Sequence, residues 1–229
     1  MDITATPHGL RLSQHGVVIS EMLTSAGPTH SVFDVLAALI SVLAPSGRVG
    51  VLGFAGGGMM APLAALGVDR VIDSVDLDQE SHALFCRHCP AWAGRIAWEN
   101  ADAEAWLQRQ PPDFSLLMDD LSVPCGGDVT KPAISWEVLP GAMRGRLRTG
   151  GITIANLLPP SGGHWEPALS QMARGSGTAR IIRLDDFLNR ILVAGDDLPS
   201  ARWLGVRLRA ALRQIRSRQA GRIHVRALR

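Results

Sequence analysis

Arg48-Val49-Gly50-Val51-Leu52-Gly53-Phe54-Ala55-Gly56-Gly57-Gly58 is a short β-branched run that enters a glycine cluster, and a helical pattern over residues 59–66 leaves it. A strand, a glycine turn and a helix in that order start an α/β unit, so the neighbouring sequence is read for more of them. On the N-terminal side, Pro28 precedes an apolar run with helical spacing at Val32, Val35, Leu36, Leu39 and Leu43. Thr29 or Ser31 can cap its start, and Pro45-Ser46-Gly47 ends it. Before it, residues 9–19 read as two short strands around a Gln14-His15-Gly16 turn. On the C-terminal side, strand patterns at residues 70–77, 96–99, 114–118 and 151–156 alternate with helical ones at 79–89, 103–109 and 136–147. Residues 179–184 and 188–194 are then two strands separated only by Asp185-Asp186-Phe187, which demands an antiparallel hairpin.

The expected architecture is therefore α/β, with a seven-stranded, mostly parallel sheet ending in an antiparallel hairpin. A small N-terminal β-hairpin precedes it, and an Arg-rich amphipathic helix over residues 200–219 follows, with residues 222–228 alternating like a short edge strand. The organisation expected is residues 1–44 as a substrate-side cap, 45–197 as the ligand-binding domain, and 198–229 as the Arg-rich appendage. The 229 residues, 46% apolar and 19% charged, supply ample core material for one domain of this kind.

Composition also narrows the function classes. The longest apolar stretch, residues 32–44, is interrupted by Asp34 and Ser41 and falls short of the ~20 residues of a bilayer-spanning helix, so no membrane partner is expected. No basic flank or apolar h-region marks the N-terminus, and three cysteines cannot form a disulfide framework; a cytoplasmic location is expected. Residues 198–229 carry nine arginines and no acid, although the whole chain is only +2, so the remainder is net acidic. Arginines opposite an apolar stripe read as a solvated face, and Trp203 is the segment's one aromatic. Nucleic acid is accordingly disfavoured as a partner, while a homo-oligomer contact through this helix stays open. Lys131 is the chain's one lysine.

The chemistry gathers at the carboxyl ends of the strands, where doubly wound sheets bind ligands. The glycines permit a sharp turn, and the helix after them offers free amide donors. The second strand pattern ends in Val75-Asp76-Leu77-Asp78, where an acid can accept the hydroxyls of a ribose. The third ends in Asn100-Ala101-Asp102-Ala103, where a carboxylate can accept from an adenine amine, and the fourth ends in Asp119-Asp120. His30 and His164 are secondary candidates on the same side. His82, Cys86 and Cys89 share helical spacing, but no second cysteine pair completes a structural zinc site, so no metal is expected.

These residues resemble the cofactor motifs of class I S-adenosylmethionine-dependent methyltransferases. The N-terminal hairpin, the run ending in Pro124, Gly150-Gly151-Ile152-Thr153-Ile154-Ala155-Asn156 and Asn189-Arg190-Ile191-Leu192-Val193-Ala194 point to the spermidine-synthase-like branch. The similarity covers roughly residues 9–195. It implies a Rossmann-like fold and a cofactor, S-adenosylmethionine or its decarboxylated form. Gly53, Ala55 and Gly57 would line that cofactor, with Asp76 at the ribose, Asp102 at the adenine amine, and Leu77 and Ala103 in the same binding set. Asp120 would face the transferred group as the catalytic residue, with Asp119, His30 and His164 on the substrate side.

The sequence also departs from that branch. Aminopropyltransferases typically carry Gly-Gly-Gly-Asp-Gly-Gly in the first loop, and here the aspartate position is Gly56. They typically show Asp-Ser-x-Asp-Pro after the fourth strand, and Asp120-Leu121-Ser122-Val123-Pro124 keeps only the first acid. The chain also contains no tyrosine, and Phe33 stands nearest the place of that family's gating tyrosine. A polyamine site needs carboxylates to offset desolvation of its ammonium groups. The expected activity is therefore methyl transfer to a small-molecule acceptor, with aminopropyl transfer as the alternative. An RNA methyltransferase and a non-catalytic relative of the fold are further alternatives.

Overall fold

The computed structural model describes residues 2–14, 16–160 and 162–228. His15 of the expected N-terminal turn, Ser161 of the loop before His164, and Arg229 lie outside them. The strands in chain order are β1 Asp2–Thr6, β2 Gly9–Gln14, β3 Val17–Leu23, β4 Arg48–Leu52, β5 Ile72–Asp76, β6 Ile96–Asn100, β7 Phe114–Asp119, β8 Val123–Cys125, β9 Asp128–Thr130, β10 Leu147–Leu157, β11 Thr178–Leu184, β12 Arg190–Gly195 and β13 Ile223–Ala227. The helices are α1 Val32–Leu43, α2 Met60–Ala65, α3 Gln79–His88, α4 Pro90–Ala93, α5 Ala103–Arg109, α6 Ala133–Glu137, α7 Leu139–Arg144, α8 Trp165–Met172 and α9 Ala201–Gln214. A 3₁₀ turn, Arg218–Gly221, precedes β13.

The main sheet has the order β13-β11-β12-β10-β7-β4-β5-β6. β10, β7, β4, β5 and β6 are mutually parallel, and β12, β11 and β13 continue the sheet antiparallel. The expected layout is present, with an eighth strand: the alternating segment after the Arg-rich helix pairs with β11 through Arg180↔Ala227 to Leu184↔Ile223 and covers what would otherwise be an open edge. The N-terminal hairpin likewise gains a strand, β1, and becomes a three-stranded antiparallel sheet. Chain direction across the sheet reverses between β4 and β7, and that switch point is where the glycine turn and Asp119-Asp120 meet.

α1 is buried along Val32–Ile40 because it is covered by the sheet on one side and by α9 and the N-terminal sheet on others; Leu12, Met22, Leu204, Leu208 and Leu212 join its core. Its start is built locally. Ser31 caps through Phe33 N, and the fully buried Asp34 carboxylate accepts from Thr29 N, Thr29 Oγ1 and His30 N at 2.8–2.9 Å. α5 and α7 cover the other face over β7 and β4, and α8 covers it over β10 to β12. The single helix expected over residues 136–147 is two, α6 and α7, because Pro140 has no N–H to continue the first helix and sits in the opening turn of the second. Among the described residues, no helix is long and apolar enough to cross a membrane.

Candidate functional site

The glycine turn is pressed against its surroundings. Gly53 has φ +87°, and a Cβ there would lie 2.8 Å from the main-chain oxygen of Asp120, so only glycine lets the β4 and β7 ends approach this closely. Ala55 holds a left-handed φ of +45°, a conformation an alanine adopts at some cost. Asp76 supplies the compensation. Its Oδ2 accepts from Phe54 N and Ala55 N at 2.7 Å each, and its Oδ1 accepts from Asp78 N at 2.9 Å. The remaining glycines are packing positions. Cβ atoms at Gly57 and Gly58 would run into Phe54 and Phe33, and one at Gly56 would sit 2.8 Å from Leu12 and 3.0–3.1 Å from Ser20 and Met22 of the N-terminal sheet. The expected open cradle of amides is thus partly closed: Asp76 holds two of the loop's donors, and core side chains back the glycines.

Outward from Asp76, the edge changes character. Leu77 is 72% exposed, an apolar side chain left in solvent beside a carboxylate. Asp102 is exposed and caps α5 through one oxygen, Oδ1, which accepts from Ala105 N at 3.0 Å, while Oδ2 has no partner among the described residues; Ala103 beside it is small and buried. A carboxylate with one acceptor site left on Oδ1, an apolar surface and a second carboxylate in succession suit a ribose hydroxyl, the flat face and the amino group of an adenine nucleoside.

Across the switch point, Asp120 is the end of a chain of side-chain hydrogen bonds. Asn156 Nδ2 donates to Asp120 Oδ1 at 2.7 Å, and Asn189 Nδ2 donates to Asn156 Oδ1 at 2.9 Å, so β7, β10 and the turn before β12 are tied in sequence along the carboxyl edge. Burial pushes the Asp120 carboxyl up to about 6, and the neighbouring carboxylates of Asp119 and Asp76 push the same way. The Lys131 ammonium and the Asn156 hydrogen bond oppose them. A carboxylate with that proton affinity is poised to take a proton near neutral pH.

Asp119 is not on the substrate side. It is fully buried, and its Oδ1 accepts from Lys131 Nζ at 2.7 Å and Leu121 N at 3.0 Å, while its Oδ2 has no partner among the described residues. The physical reason is strand alternation: Asp119 and Asp120 leave β7 on opposite faces, so only one can face the switch point. His30 is also held elsewhere. It sits at a left-handed φ of +62°, its Nδ1 accepts from Arg218 N at 3.3 Å, and its carbonyl accepts from Gln219 Nε2 at 3.0 Å, which ties α1 to the C-terminal turn. His164 is exposed at the N-cap of α8 with no capping bond from its side chain. Neither histidine is hydrogen-bonded to Asp120.

Lys131 escaped the sequence reading. It follows the β8–β9 hairpin, whose turn is Gly126-Gly127 with φ +58° and +85°. A Gly-Gly pair flanked by Val123-Pro124-Cys125 and Asp128-Val129-Thr130 is a legible hairpin signal. Nothing local says that the hairpin returns a lysine beneath β7.

On α3, His82 stacks on Trp98 at 4.0 Å and lies 3.5 Å from Cys86, whereas Cys89 is buried with its thiol, pushed up to about 11, directed at Leu23 O. Among the described residues, no three His, Cys, Asp or Glu side chains converge as a metal site. Two surface clefts, of about 580 and 490 Å³, lie at the opposite end of the sheet, around Gly47 and Arg70 and around Arg148 and Gly195. They contain none of the polar convergence described above.

The structure is similar to human methyltransferase-like protein 13, solved in complex with SAH, at a TM-score of 0.60 and 19% identity, over 82% of this chain and 91% of that one. It is similar to spermidine synthase from Thermotoga maritima at a TM-score of 0.65 and 15% identity, over 86% of this chain and 69% of that one. A spermidine synthase in complex with the transition-state analogue AdoDATO matches with the same score and identity, over 86% and 70%. The chain shares its α/β fold with these methyltransferase and spermidine synthase structures. No protein-family model matches the sequence, and no curated protein matches it. Within this shared fold, the glycine turn, Asp76, Asp102 and Asp120 occupy the ends of four neighbouring parallel strands, β4, β5, β6 and β7.

Proposed function

We propose that the chain binds S-adenosylmethionine and transfers its methyl group to a small-molecule acceptor. The observation that carries this reading is that Asp76-Leu77, Asp102 and Asp120 lie at the ends of three parallel strands beside the one that ends in the glycine turn, at one edge of the sheet, with Asp76 holding that turn. The ligands bound in the structural neighbours, SAH and AdoDATO, support the same chemistry. When bound, S-adenosylmethionine supplies an electrophilic methyl group on a sulfonium. Asp76 shapes the turn through Phe54 N and Ala55 N and keeps one acceptor site, on Oδ1, for a ribose hydroxyl. Asp102 accepts from the adenine amine through its free oxygen, and Leu77 and Ala103 border the base. Asp120, oriented by Asn156 and Asn189, accepts a proton at its carboxylate from an acceptor hydroxyl or ammonium. Positioning and exclusion of water supply the remainder of the acceleration.

The aminopropyl alternative, with decarboxylated cofactor, is disfavoured by the space at Gly56. The family's aspartate is absent there, and Leu12, Ser20 and Met22 fill the volume it would need. Gly56→Ala is expected to cost about 1–3 kcal/mol through overpacking. Gly56→Asp, which adds a buried charge, is expected to cost about 3 kcal/mol or more, read as a fall in urea midpoint. An unchanged midpoint for Gly56→Asp would return the aminopropyl reading to favour.

Calorimetric titration with S-adenosylmethionine, its decarboxylated form and methylthioadenosine tests the proposal. Tighter binding of the carboxylated cofactor is expected. Preference for the decarboxylated form would overturn methyl transfer, and binding of none would overturn the cofactor itself. Asp76→Ala removes a charged acceptor of hydroxyl hydrogen bonds and should weaken S-adenosylmethionine binding about 100-fold. A Kd within about twofold of the parent would remove Asp76 from the ribose.

A further inference from the structure

Lys131 is the chain's one lysine, and its side chain keeps 1% of its surface. An ammonium has three donors, and three acceptors meet this one: Asp119 Oδ1 at 2.7 Å, Leu121 O at 2.8 Å and Asp119 O at 3.3 Å. The two main-chain acceptors are the carbonyls of the residues flanking Asp120. One side chain therefore ties the backbone on both sides of the candidate base, just where β7 has ended. The β8–β9 hairpin that precedes it contributes little to the core: β8 is exposed throughout, and the hairpin's net effect is to bring residue 131 back beneath the strand end. Packing alone does not call for a lysine here, since a buried ion pair is commonly replaced by apolar residues of similar volume at little cost.

We infer that Lys131 is a positioning residue for Asp120: its ammonium fixes the main chain around that carboxylate and is, among the described residues, the one positive charge set against it. The inference rests on the cofactor reading above for what Asp120 faces, and on the geometry for the rest. The charged groups acting on Asp120 are Asp119 on its own strand, Asp76 from β5 and Lys131 after β9, and Asn156 from β10 adds a neutral hydrogen bond. Burial and two carboxylates favour the protonated acid, so without Lys131 the group would keep its proton further into the neutral range.

The test uses the full chain labelled with carboxyl-¹³C aspartate, with the Asp120 signal assigned by its absence in Asp120→Asn. Lys131→Met is compared with Asp119→Asn/Lys131→Met, which removes both buried charges and so stays folded if the single variant does not. In the parent the Asp120 signal should titrate near pH 6. In the double variant its midpoint should rise, because the lost attraction of Lys131 outweighs the lost repulsion of Asp119. SAH binding should stay within about threefold. A folded double variant with an unmoved Asp120 midpoint overturns the role of Lys131, even if both cofactors bind. If the midpoint moves but neither cofactor binds the parent, the positioning role stands and the methyl-transfer reading falls.

Discussion

Asp120→Asn is expected to unfold at a higher urea concentration than the parent at pH 8 and to show no turnover with any acceptor that must lose a proton. The amide oxygen can still accept from Asn156 Nδ2, so the hydrogen-bonded chain to Asn189 survives while the charge is lost. The stability gain follows from linkage. The folded-state Asp120 titrates near 6, above the ordinary carboxylate value of about 3.9 expected for the unfolded chain. The folded protein therefore holds this proton more tightly than the unfolded one, and rising pH removes stability between about pH 4 and pH 6 and restores none above it. Two units correspond to about 3 kcal/mol at most, and the expected gain at pH 8 is about 1–3 kcal/mol. Below about pH 4 both proteins carry a neutral group, and the difference should vanish. Urea midpoints at pH 8 and pH 4 check both halves. Equal midpoints at pH 8 would show that burial does not raise this carboxyl, and full turnover in the variant would remove Asp120 as the base.

Lys131→Met should carry the largest stability penalty of the substitutions considered. It leaves the Asp119 carboxylate at 0% exposure with one remaining donor, Leu121 N, and with Oδ2 still unpaired. It also strips a donor from the Asp119 and Leu121 carbonyls. Uncompensated buried charges of this kind cost about 3–5 kcal/mol. Adding Asp119→Asn removes the charge that has lost its partner and should bring the protein back to within about 1 kcal/mol of the parent. Thermal unfolding of the parent, the two single variants and the double variant measures the coupling. Additive losses would mean that the two residues do not form the pair described.

Much of the fold was legible because it depends on short-range spacing. The apolar positions from Val32 to Leu43 mark α1 by helical period alone, and Asp102 caps α5 as an acid at a strand-to-helix junction. Asp76 and Asp120 were visible as acids at strand ends because the strand before each is a clear β-branched or apolar run. The β8–β9 hairpin was missed although its Gly-Gly turn is a local signal, because the surrounding residues lack a strong apolar alternation. Helix α8 was hidden behind Pro159-Pro160 and the glycines after them.

The sequence by itself determined the alternation of strands and helices, and with it the sheet edge that gathers Asp76, Asp102 and Asp120. That information is carried by residues two to four positions apart, where backbone geometry repeats. Only the tertiary structure decided which face each acid takes. It turned Asp119 inward onto Lys131, twelve residues away, and Asp120 toward Asn156 and Asn189. It closed Gly56 under Leu12 and Met22, and it bound His30 to Arg218, 188 residues on. These juxtapositions depend on strand order and on the burial that many distant segments create together. The proton affinity of Asp120 has the same origin, since desolvation and the charges of three separate elements set it.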